Sequence, residues 1–274
     1  MSTQIDIRPH ALVTGASSGI GAVFAERLAH NGYDVNIVAR RRDRLEALAE
    51  NLQTSHQVNV EVIVADLSKS DDLRVVEKRI AENTALELLV NNAGFGDNMA
   101  FVQLDPDKAE ELINVQVLAV ARLTRAALPG MIARGHGSII NVSSDLAFSG
   151  PMGSSQLPKR ATYAGTKAFI VTFTQLLQSE LEGTGVRVQV LCPGLVRTEL
   201  HELVDMDPSR FPPQIMMKAE DLVGASLAGL KLGEIICIPA LEDADLLKQL
   251  QEDERRLFET AATGKVATRY STEK

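Results

Sequence analysis

Short apolar runs alternate with amphipathic stretches along this chain of 274 residues. The apolar runs are rich in Val, Ile and Leu and have the length of buried strands. The seven predicted strands cover residues 11–13, 35–39, 58–65, 86–90, 138–142, 187–191 and 234–238. Strands that alternate with helices indicate an α/β protein, with a doubly wound parallel seven-stranded sheet and helices on both faces.

Between the strands, apolar residues recur at the spacing of amphipathic helices. The first of these helices follows residue 18, and Ser68 is the predicted N-cap of the helix after the third strand. Asp105-Pro106 begins a long helical region that reaches about Arg134. Further helices are predicted over residues 161–181 and 220–232.

No linker or internal repeat interrupts this pattern, so residues 1–274 are predicted to form a single domain. Residues 150–160 and 197–218, rich in Gly, Ser or Pro, break the alternation. Both follow strand ends, where open α/β sheets bind ligands, and we interpret them as substrate-loop segments. Residues 241–274 form a C-terminal extension, which either packs as a surface helix or contributes to subunit contacts.

The formal net charge of -8, with no basic tail, argues against a nucleic-acid partner. Cys192 and Cys237 lie in apolar runs and are expected to be reduced core thiols. No apolar stretch is expected to span a membrane, and the N-terminus lacks the core of a signal peptide. We therefore expect a cytoplasmic protein with no membrane partner and no metal site.

Glycines at positions 15, 19 and 21 form a turn between the first strand and the first helix. Glycine lets the backbone approach a pyrophosphate closely, and the N–H groups at the helix N-terminus stabilise its charge. The order of strand, glycine turn and helix is typical of dinucleotide-binding proteins. A glycine-rich turn without a ligand is the alternative.

Tyr163 and Lys167 are four residues apart and therefore share a helical face. A free phenol titrates at about 10, and a neighbouring ammonium group should lower that pKa. The pair suits proton transfer to or from an alcohol or carbonyl oxygen. Ser143 and Ser144, at the end of the fifth strand, could hydrogen-bond that oxygen or simply form a turn.

Four motifs together resemble the short-chain dehydrogenase/reductase family, over nearly the whole chain. Residues 14–21 are similar to its cofactor motif, 91–94 to its structural motif, and 163–167 to its active-site motif. Pro193-Gly194 also matches. The resemblance implies a Rossmann-type fold, and an oxidoreductase that moves a hydride between a nicotinamide cofactor and a small-molecule carbonyl compound or secondary alcohol. It also implies a homodimer or homotetramer.

The resemblance further implies roles for four residues. Tyr163 would be the general acid–base, and Lys167 would lower its pKa and bind the nicotinamide ribose. Ser144 would hold the substrate oxygen. Asn114 would anchor a water that connects Lys167 to solvent, although a solvent-facing helical Asn is the alternative. The chain between Ser144 and Tyr163 is longer than the family pattern, with residues 153–160 as the insertion, and this leaves Ser143 open as the alternative to Ser144.

The end of the second strand bears on cofactor choice. About 20 residues past the glycine turn, NAD-binding folds carry an acidic group for the ribose 2′-hydroxyl. Here Arg40, Arg41 and Arg42 follow the strand instead. An arginine suits a 2′-phosphate, so NADP(H) is predicted with Arg40 as the first candidate. The alternative is that these arginines begin an exposed helix.

By resemblance, Asp66 would bind the adenine amino group, and residues 92–94 would line the adenosine ribose. The complete set of predicted cofactor-binding residues is Gly15, Ser17, Ser18, Gly19, Ile20, Gly21, Arg40, Asp66, Leu67, Asn92, Ala93, Gly94, Tyr163, Lys167, Pro193, Gly194, Val196 and Thr198. Two other hypotheses share the fold: a non-catalytic dinucleotide sensor, and a scaffold that binds no cofactor.

Overall fold

A parallel sheet of seven strands forms the centre of the computed structural model, which describes residues 8–97, 99–152, 160–197 and 216–270. Its strands are β1 His10–Thr14, β2 Asp34–Ala39, β3 Val60–Val64, β4 Leu86–Asn91, β5 Gly137–Val142 and β6 Val186–Leu191, with the short Ile236–Cys237 at one edge. The Ile236–Cys237 strand lies beside β6, and the other six follow the order β3-β2-β1-β4-β5-β6. The predicted fold class is confirmed.

A second, two-stranded sheet was absent from the sequence prediction. Its strands are β7 Val196–Arg197 and β8 Met217–Lys218, which pair in parallel, so Ile236–Cys237 is β9. They lie at the two ends of the segment predicted over residues 197–218. Residues 198–215 of that segment, and residues 153–159 of the predicted insertion, lie outside the described residues.

Helices flank the central sheet on both faces. Their bounds are α1 Gly19–His30, α2 Arg42–His56, α3 Ser70–Glu82, α4 Pro106–Ile113, α5 Ala119–Arg134, α6 Ala161–Glu180 and α7 Ala219–Leu232. The prediction of Ser68 as a cap was wrong, because α3 begins at Ser70 with Lys69 at its N-cap. Ser68 instead donates from its backbone N–H and its hydroxyl to Asp66 Oδ1, at 3.0 and 2.8 Å.

The long helical region predicted from Asp105-Pro106 is confirmed, with one irregularity. Asp105 caps α4 by accepting a hydrogen bond from the N–H of Asp107, and Pro106 occupies the first turn, where its missing N–H costs nothing. Between α4 and α5, residues Asn114–Leu118 form a π-helical turn. Such turns inside α-helices are frequent at functional sites.

Among the described residues, one helical stretch, Pro106–Arg134, is long and apolar enough to cross a membrane by length and composition. The expectation that the chain has no membrane partner therefore stays a prediction. Within the fold, α5 buries Leu123, Ala127 and Met131. Its Arg122 also forms an ion pair with Glu77 of α3, with Nε 2.6 Å from Oε1. A core helix that covers a sheet passes the same test of length and composition.

Two apolar clusters make up the core, one on each face of the sheet. The first includes Phe24 of α1 and Leu45 of α2, and the second includes Leu73 of α3 and Leu123 of α5. Consecutive residues of a strand point to opposite faces, so Ile139 and Ile140 of β5 join different clusters. Each fully buried aliphatic side chain contributes roughly 1.5–3 kcal/mol to this packing.

A chain of hydrogen-bonded polar side chains crosses the buried part of the sheet. Asn91 of β4 donates to Thr124 of α5 at 3.1 Å and to Asn141 of β5 at 2.9 Å. Asn141 in turn donates to the hydroxyl of Thr174 on α6, at 3.0 Å. These hydrogen bonds therefore connect β4 and β5, which lead to the candidate site, with α5 and α6, which cover them.

Asn141→Ala is expected to lower the free energy of unfolding by about 2–4 kcal/mol, because it leaves buried polar groups of Asn91 and Thr174 without their partners. Urea unfolding followed by circular dichroism would measure the change. Asn31→Ala, at an exposed helix end, is the matched control and should change stability by less than about 0.5 kcal/mol. Equal effects of the two substitutions would contradict the role assigned to the polar chain.

Contacts along the chain define two compact units, Met1–Pro239 and Ala240–Lys274. The central sheet and both apolar clusters lie in the first unit. The second unit contains α8, Asp245–Ala261, on which Leu246, Leu257 and Phe258 are exposed. The C-terminal extension predicted over residues 241–274 falls within this second unit, and the single domain over residues 1–274 stays a prediction.

Candidate active site

The glycine turn lies between the carboxyl end of β1 and the start of α1. Gly15 and Gly19 have φ values of +69° and +55°, a left-handed conformation that glycine adopts without strain. A Cβ at Gly21 would clash with the carbonyl oxygen of Gly15. The backbone here leaves no room for side chains, and the N-terminus of α1 faces the turn. Closely approaching backbone at the N-terminus of a helix suits the pyrophosphate of a dinucleotide.

The loop after β4 is fastened directly to this turn. The Thr14 hydroxyl accepts hydrogen bonds from the N–H groups of Asn92 and Ala93, at 2.9 and 3.0 Å. Asn92 Nδ2 donates to the carbonyl oxygen of Thr14 at 2.9 Å. The structure therefore brings residues 92–94 next to the glycine turn, where the sequence analysis expects the adenosine ribose.

Asp66 and Leu67 follow β3 at the same edge of the sheet. Leu67 is buried, and Asp66 holds Ser68 as described above. Burial acts to raise the pKa of the Asp66 carboxyl, but the hydrogen bonds from Ser68 and the nearby charge of Arg40 outweigh it and lower that pKa. A charged carboxylate is therefore available where an adenine amino group is expected to bind.

The arginines after β2 have different partners. Arg41 contacts the glycine turn. Its Nε and Nη2 donate to the Ser17 hydroxyl oxygen at 3.1 and 2.8 Å, and Nη2 also donates to the Ser18 hydroxyl oxygen at 2.6 Å. Arg40 is largely exposed and forms an ion pair with Glu111 of α4 at 3.2 Å. The contact of Arg41 with the turn was not predicted, because spacing along the sequence favours Arg40, the residue next to the strand end.

Tyr163 and Lys167 lie on the first two turns of α6, as predicted. Lys167 is buried, its Nζ donates to the carbonyl oxygen of Val142 at 3.0 Å, and it lies 5.5 Å from the centre of the Tyr163 ring. The Ser144 hydroxyl, at the end of β5, faces the phenol and stabilises its charged form. Ser143 points elsewhere and donates to the carbonyl oxygen of Lys167 at 2.8 Å. Ser144, rather than Ser143, is therefore the hydroxyl beside Tyr163.

The pKa values of this pair differ from the sequence expectation. Burial raises the pKa of Tyr163 to about 12, against smaller opposing effects of the Arg160 charge and the Ser144 hydroxyl. Burial also lowers the pKa of Lys167 to about 7. The expected lowering of the tyrosine pKa by Lys167 is therefore not seen in this structure, because both side chains lose hydration and Lys167 itself tends towards the neutral form.

Asn114 is partly buried and begins the π-helical turn, which packs against α6. Two residues later, Gln116 donates to the carbonyl oxygen of Phe95 at 2.8 Å, which holds the loop after β4 against this turn. The loop after β6 completes the edge: the Pro193 carbonyl oxygen accepts from the N–H of Asp145 at 2.9 Å, with Gly194 and Val196 following. Thr198 lies outside the described residues.

The sheet is parallel and seven-stranded, and a glycine turn and a tyrosine–lysine pair lie at its carboxyl edge. This combination is typical of α/β enzymes that use a nucleotide cofactor. A family model for short chain dehydrogenases matches residues 9–208. The chain therefore belongs to the short-chain dehydrogenase family, and its fold and neighbours are those of an oxidoreductase.

Solved structures agree with this assignment. A short-chain dehydrogenase from Sphingobium yanoikuyae, in complex with NADPH, is 36% identical, with a TM-score of 0.89 over 96% of this chain and 100% of that chain. A bulky-bulky ketone specific alcohol dehydrogenase from Comamonas testosteroni is 34% identical, with a TM-score of 0.86 over 96% of this chain and 98% of that chain.

A human relative, named inactive hydroxysteroid dehydrogenase-like protein 1, is 31% identical over 192 residues. The match covers 69% of this chain and 56% of the human protein. Because one relative is named as inactive, membership of the family is not sufficient to infer activity. Any activity must be argued from the residues at the site.

Proposed function

We propose that this chain is an NADP(H)-dependent oxidoreductase that interconverts a carbonyl compound and its secondary alcohol, with Tyr163 as the general acid–base. The observation that carries the proposal is the convergence of Ser144, Tyr163 and Lys167 at the sheet edge that also holds the glycine turn. Open α/β sheets bind ligands at this edge.

Each side chain has a distinct task in the reductive direction. The Tyr163 hydroxyl donates its proton to the carbonyl oxygen, and its pKa of about 12 keeps that proton in place at pH 7. The Ser144 hydroxyl orients and polarises the same oxygen. NADPH, when bound, supplies the hydride that reduces the carbonyl carbon. In the oxidative direction, Tyr163 accepts the proton of the alcohol through its deprotonated form.

Two arginines support the choice of NADP(H). No carboxylate follows β2 until Asp43, so the acidic partner of a ribose 2′-hydroxyl is missing from that strand end. Arg40 lies at this end, and Arg41 is already held at Ser17 and Ser18. Guanidinium groups form charge-assisted bonds with phosphate, and the Sphingobium relative was solved with NADPH.

Arg40→Ala is expected to weaken NADPH binding about tenfold to a hundredfold and to leave NADH binding nearly unchanged, because it removes a charged partner of the 2′-phosphate. Arg41→Ala should weaken binding of both cofactors, since Arg41 also orders the pyrophosphate turn. Fluorescence titration with NADPH and NADH measures both. Arg42→Ala is the matched control: Arg42 pairs with Glu46 on its own helix and should affect neither cofactor. Equal affinity of the wild type for both cofactors would contradict the assignment.

The substrate proposed for the first assays is a ketone with two bulky substituents, because the Comamonas relative is named for that specificity. A non-catalytic dinucleotide sensor is the second candidate, and the human relative named as inactive favours it. The enzyme is favoured because the chain has all four residues of the predicted catalytic set, Asn114, Ser144, Tyr163 and Lys167. NADPH binding without turnover of any ketone or aldehyde would support the sensor instead.

We also infer a homodimer or homotetramer. Phe169 and Leu176 of α6 are partly or largely exposed, and exposed apolar residues on a long helix suit a contact between subunits. Light scattering of the purified protein measures the oligomeric state. The cytoplasmic location stays a prediction from the sequence.

A further inference from the structure

Asp145, the residue after Ser144, places its carboxyl group within hydrogen-bond distance of the serine hydroxyl. The Ser144 Oγ donates to Asp145 Oδ1 at 3.0 Å and accepts a hydrogen bond from the N–H of Leu146 at 3.2 Å. A hydroxyl has a single proton to donate. While the charged Asp145 carboxylate accepts the hydrogen bond from the Ser144 hydroxyl, that hydroxyl cannot donate to a substrate oxygen.

The position of the Asp145 carboxylate is fixed from two sides. Its backbone N–H donates to the carbonyl oxygen of Pro193 at 2.9 Å. A Cβ at Gly194 would lie only 3.3 Å from Asp145 Oδ2, so the carboxylate lies against the backbone of the loop after β6. The contact with Ser144 therefore belongs to a tightly packed part of the site.

The surroundings of Asp145 provide little compensation for its charge. The ionisable groups that face it are the Tyr163 phenol on α6 and the Cys192 thiol after β6, and burial raises the pKa of each to about 12. Both are therefore neutral at pH 7. Burial also raises the pKa of Asp145 itself, against the opposing hydrogen bonds from Ser144 and from backbone N–H groups. Among the described residues, no lysine or arginine forms an ion pair with it within 4.0 Å.

We propose that Asp145 is a positioning residue that sets the direction in which the Ser144 hydroxyl donates its hydrogen bond. The charged carboxylate accepts the hydrogen bond of the Ser144 hydroxyl. The neutral carboxyl group donates a hydrogen bond to Ser144 Oγ instead, which frees the Ser144 hydroxyl to donate to the carbonyl oxygen of the substrate. No bond is formed or broken at Asp145, and the proton transferred to product still comes from Tyr163. The inference rests on the proposed reductase function.

Asp145→Asn tests this role, because the amide N–H can donate permanently to Ser144 Oγ. The assay is NADPH-dependent reduction of a ketone panel from propiophenone to benzophenone, with kcat measured from pH 5 to pH 8. The wild type should lose activity as pH rises through the raised pKa of Asp145, in addition to any change that follows the titration of Lys167, whose pKa is about 7. Asp145→Asn should lack the loss due to Asp145, keep the change due to Lys167, and exceed the wild type about threefold to tenfold at pH 8, the gain from one added hydrogen-bond donor being a fraction of the effect of a full oxyanion-hole contact.

Asp97→Asn is the matched control. Asp97 is another partly buried carboxyl group whose charge affects Tyr163, but it makes no hydrogen bond with Ser144. This variant should keep the pH dependence of the wild type. A direct measurement is the carboxyl ¹³C shift of Asp145, assigned by comparison with Asp145→Asn, which should titrate above the usual aspartate pKa of about 3.9.

The outcomes separate the two proposals. Turnover by Asp145→Asn with the pH profile and kcat of the wild type would overturn the role of Asp145 and leave the reductase function standing. A lost pH dependence in Asp97→Asn would also overturn it. Bound NADPH with no turnover of any ketone by the wild type would overturn the reductase function, and this role of Asp145 with it.

Discussion

Tyr163→Phe is expected to lower kcat for ketone reduction about 1,000-fold, with little change in NADPH affinity. The substitution removes the proton donor and keeps the aromatic ring that packs beside Lys167. General acid catalysis by a positioned side chain contributes typically about 10²–10⁴-fold, and the phenylalanine ring has no proton to donate. Steady-state kinetics and NADPH titration on the same preparation measure both effects.

Tyr33→Phe is the control for this substitution. It removes a phenolic hydroxyl just before β2, at a partly buried position outside the proposed catalytic set. Its kcat should match that of the wild type. If Tyr163→Phe kept more than about a tenth of the wild-type kcat, Tyr163 would not be the general acid.

Lys167→Met is expected to abolish most activity and, at the same time, to stabilise the folded protein. Burial lowers the pKa of Lys167 from its ordinary 10.5 to about 7, which corresponds to a cost of about 5 kcal/mol for keeping this residue charged in the fold. A buried methionine carries no such cost and loses only the hydrogen bond to Val142, worth about 1 kcal/mol. We expect a gain of roughly 4 kcal/mol at and below pH 7, with kcat reduced at least about 100-fold.

The pH dependence of this stabilisation has a defined sign. Between pH 7 and pH 10.5 the unfolded wild type binds the lysine proton and the folded wild type does not, so wild-type stability rises with pH across that window. The advantage of Lys167→Met should therefore be greatest at pH 7 and below, and it should disappear as pH approaches 10.5. Thermal unfolding at several pH values measures it. A variant less stable than the wild type at pH 7 would show that Lys167 is not an energetic burden in the fold.

The alternation of apolar runs and amphipathic stretches was sufficient to predict the sheet, because buried parallel strands and their covering helices have distinct periods. It could not predict β7 and β8, since two residues show no period and their pairing depends on distant parts of the chain. Ser68 shows another limit. Its residue type suits a helix cap, but Asp66, two positions earlier, competes for the same hydroxyl and N–H.

The sequence allowed prediction of which residues belong to the candidate site, but not of their contacts and pKa values. Spacing placed Tyr163 and Lys167 on one helical face, but it could not show that burial would dominate both pKa values. The residue types after β2 indicated a phosphate partner, whereas the contact of Arg41 with Ser17 depends on how the turn folds. Asp145 was not among the predicted site residues, because its hydrogen bond with Ser144 follows from side-chain geometry that spacing does not show.

The pairing of β7 with β8 fixes the separation of two points on the chain. Val196 lies beside Met217, and Arg197 lies beside Lys218, so the ends of the intervening segment meet at a ladder that does not depend on the segment's length. The entropy of closing a loop grows only slowly with the number of residues in it. Insertions, deletions or whole replacements between these strands should therefore leave the sheet intact. The β7–β8 ladder is therefore a fixed frame between whose strands segments of different length and sequence can be placed.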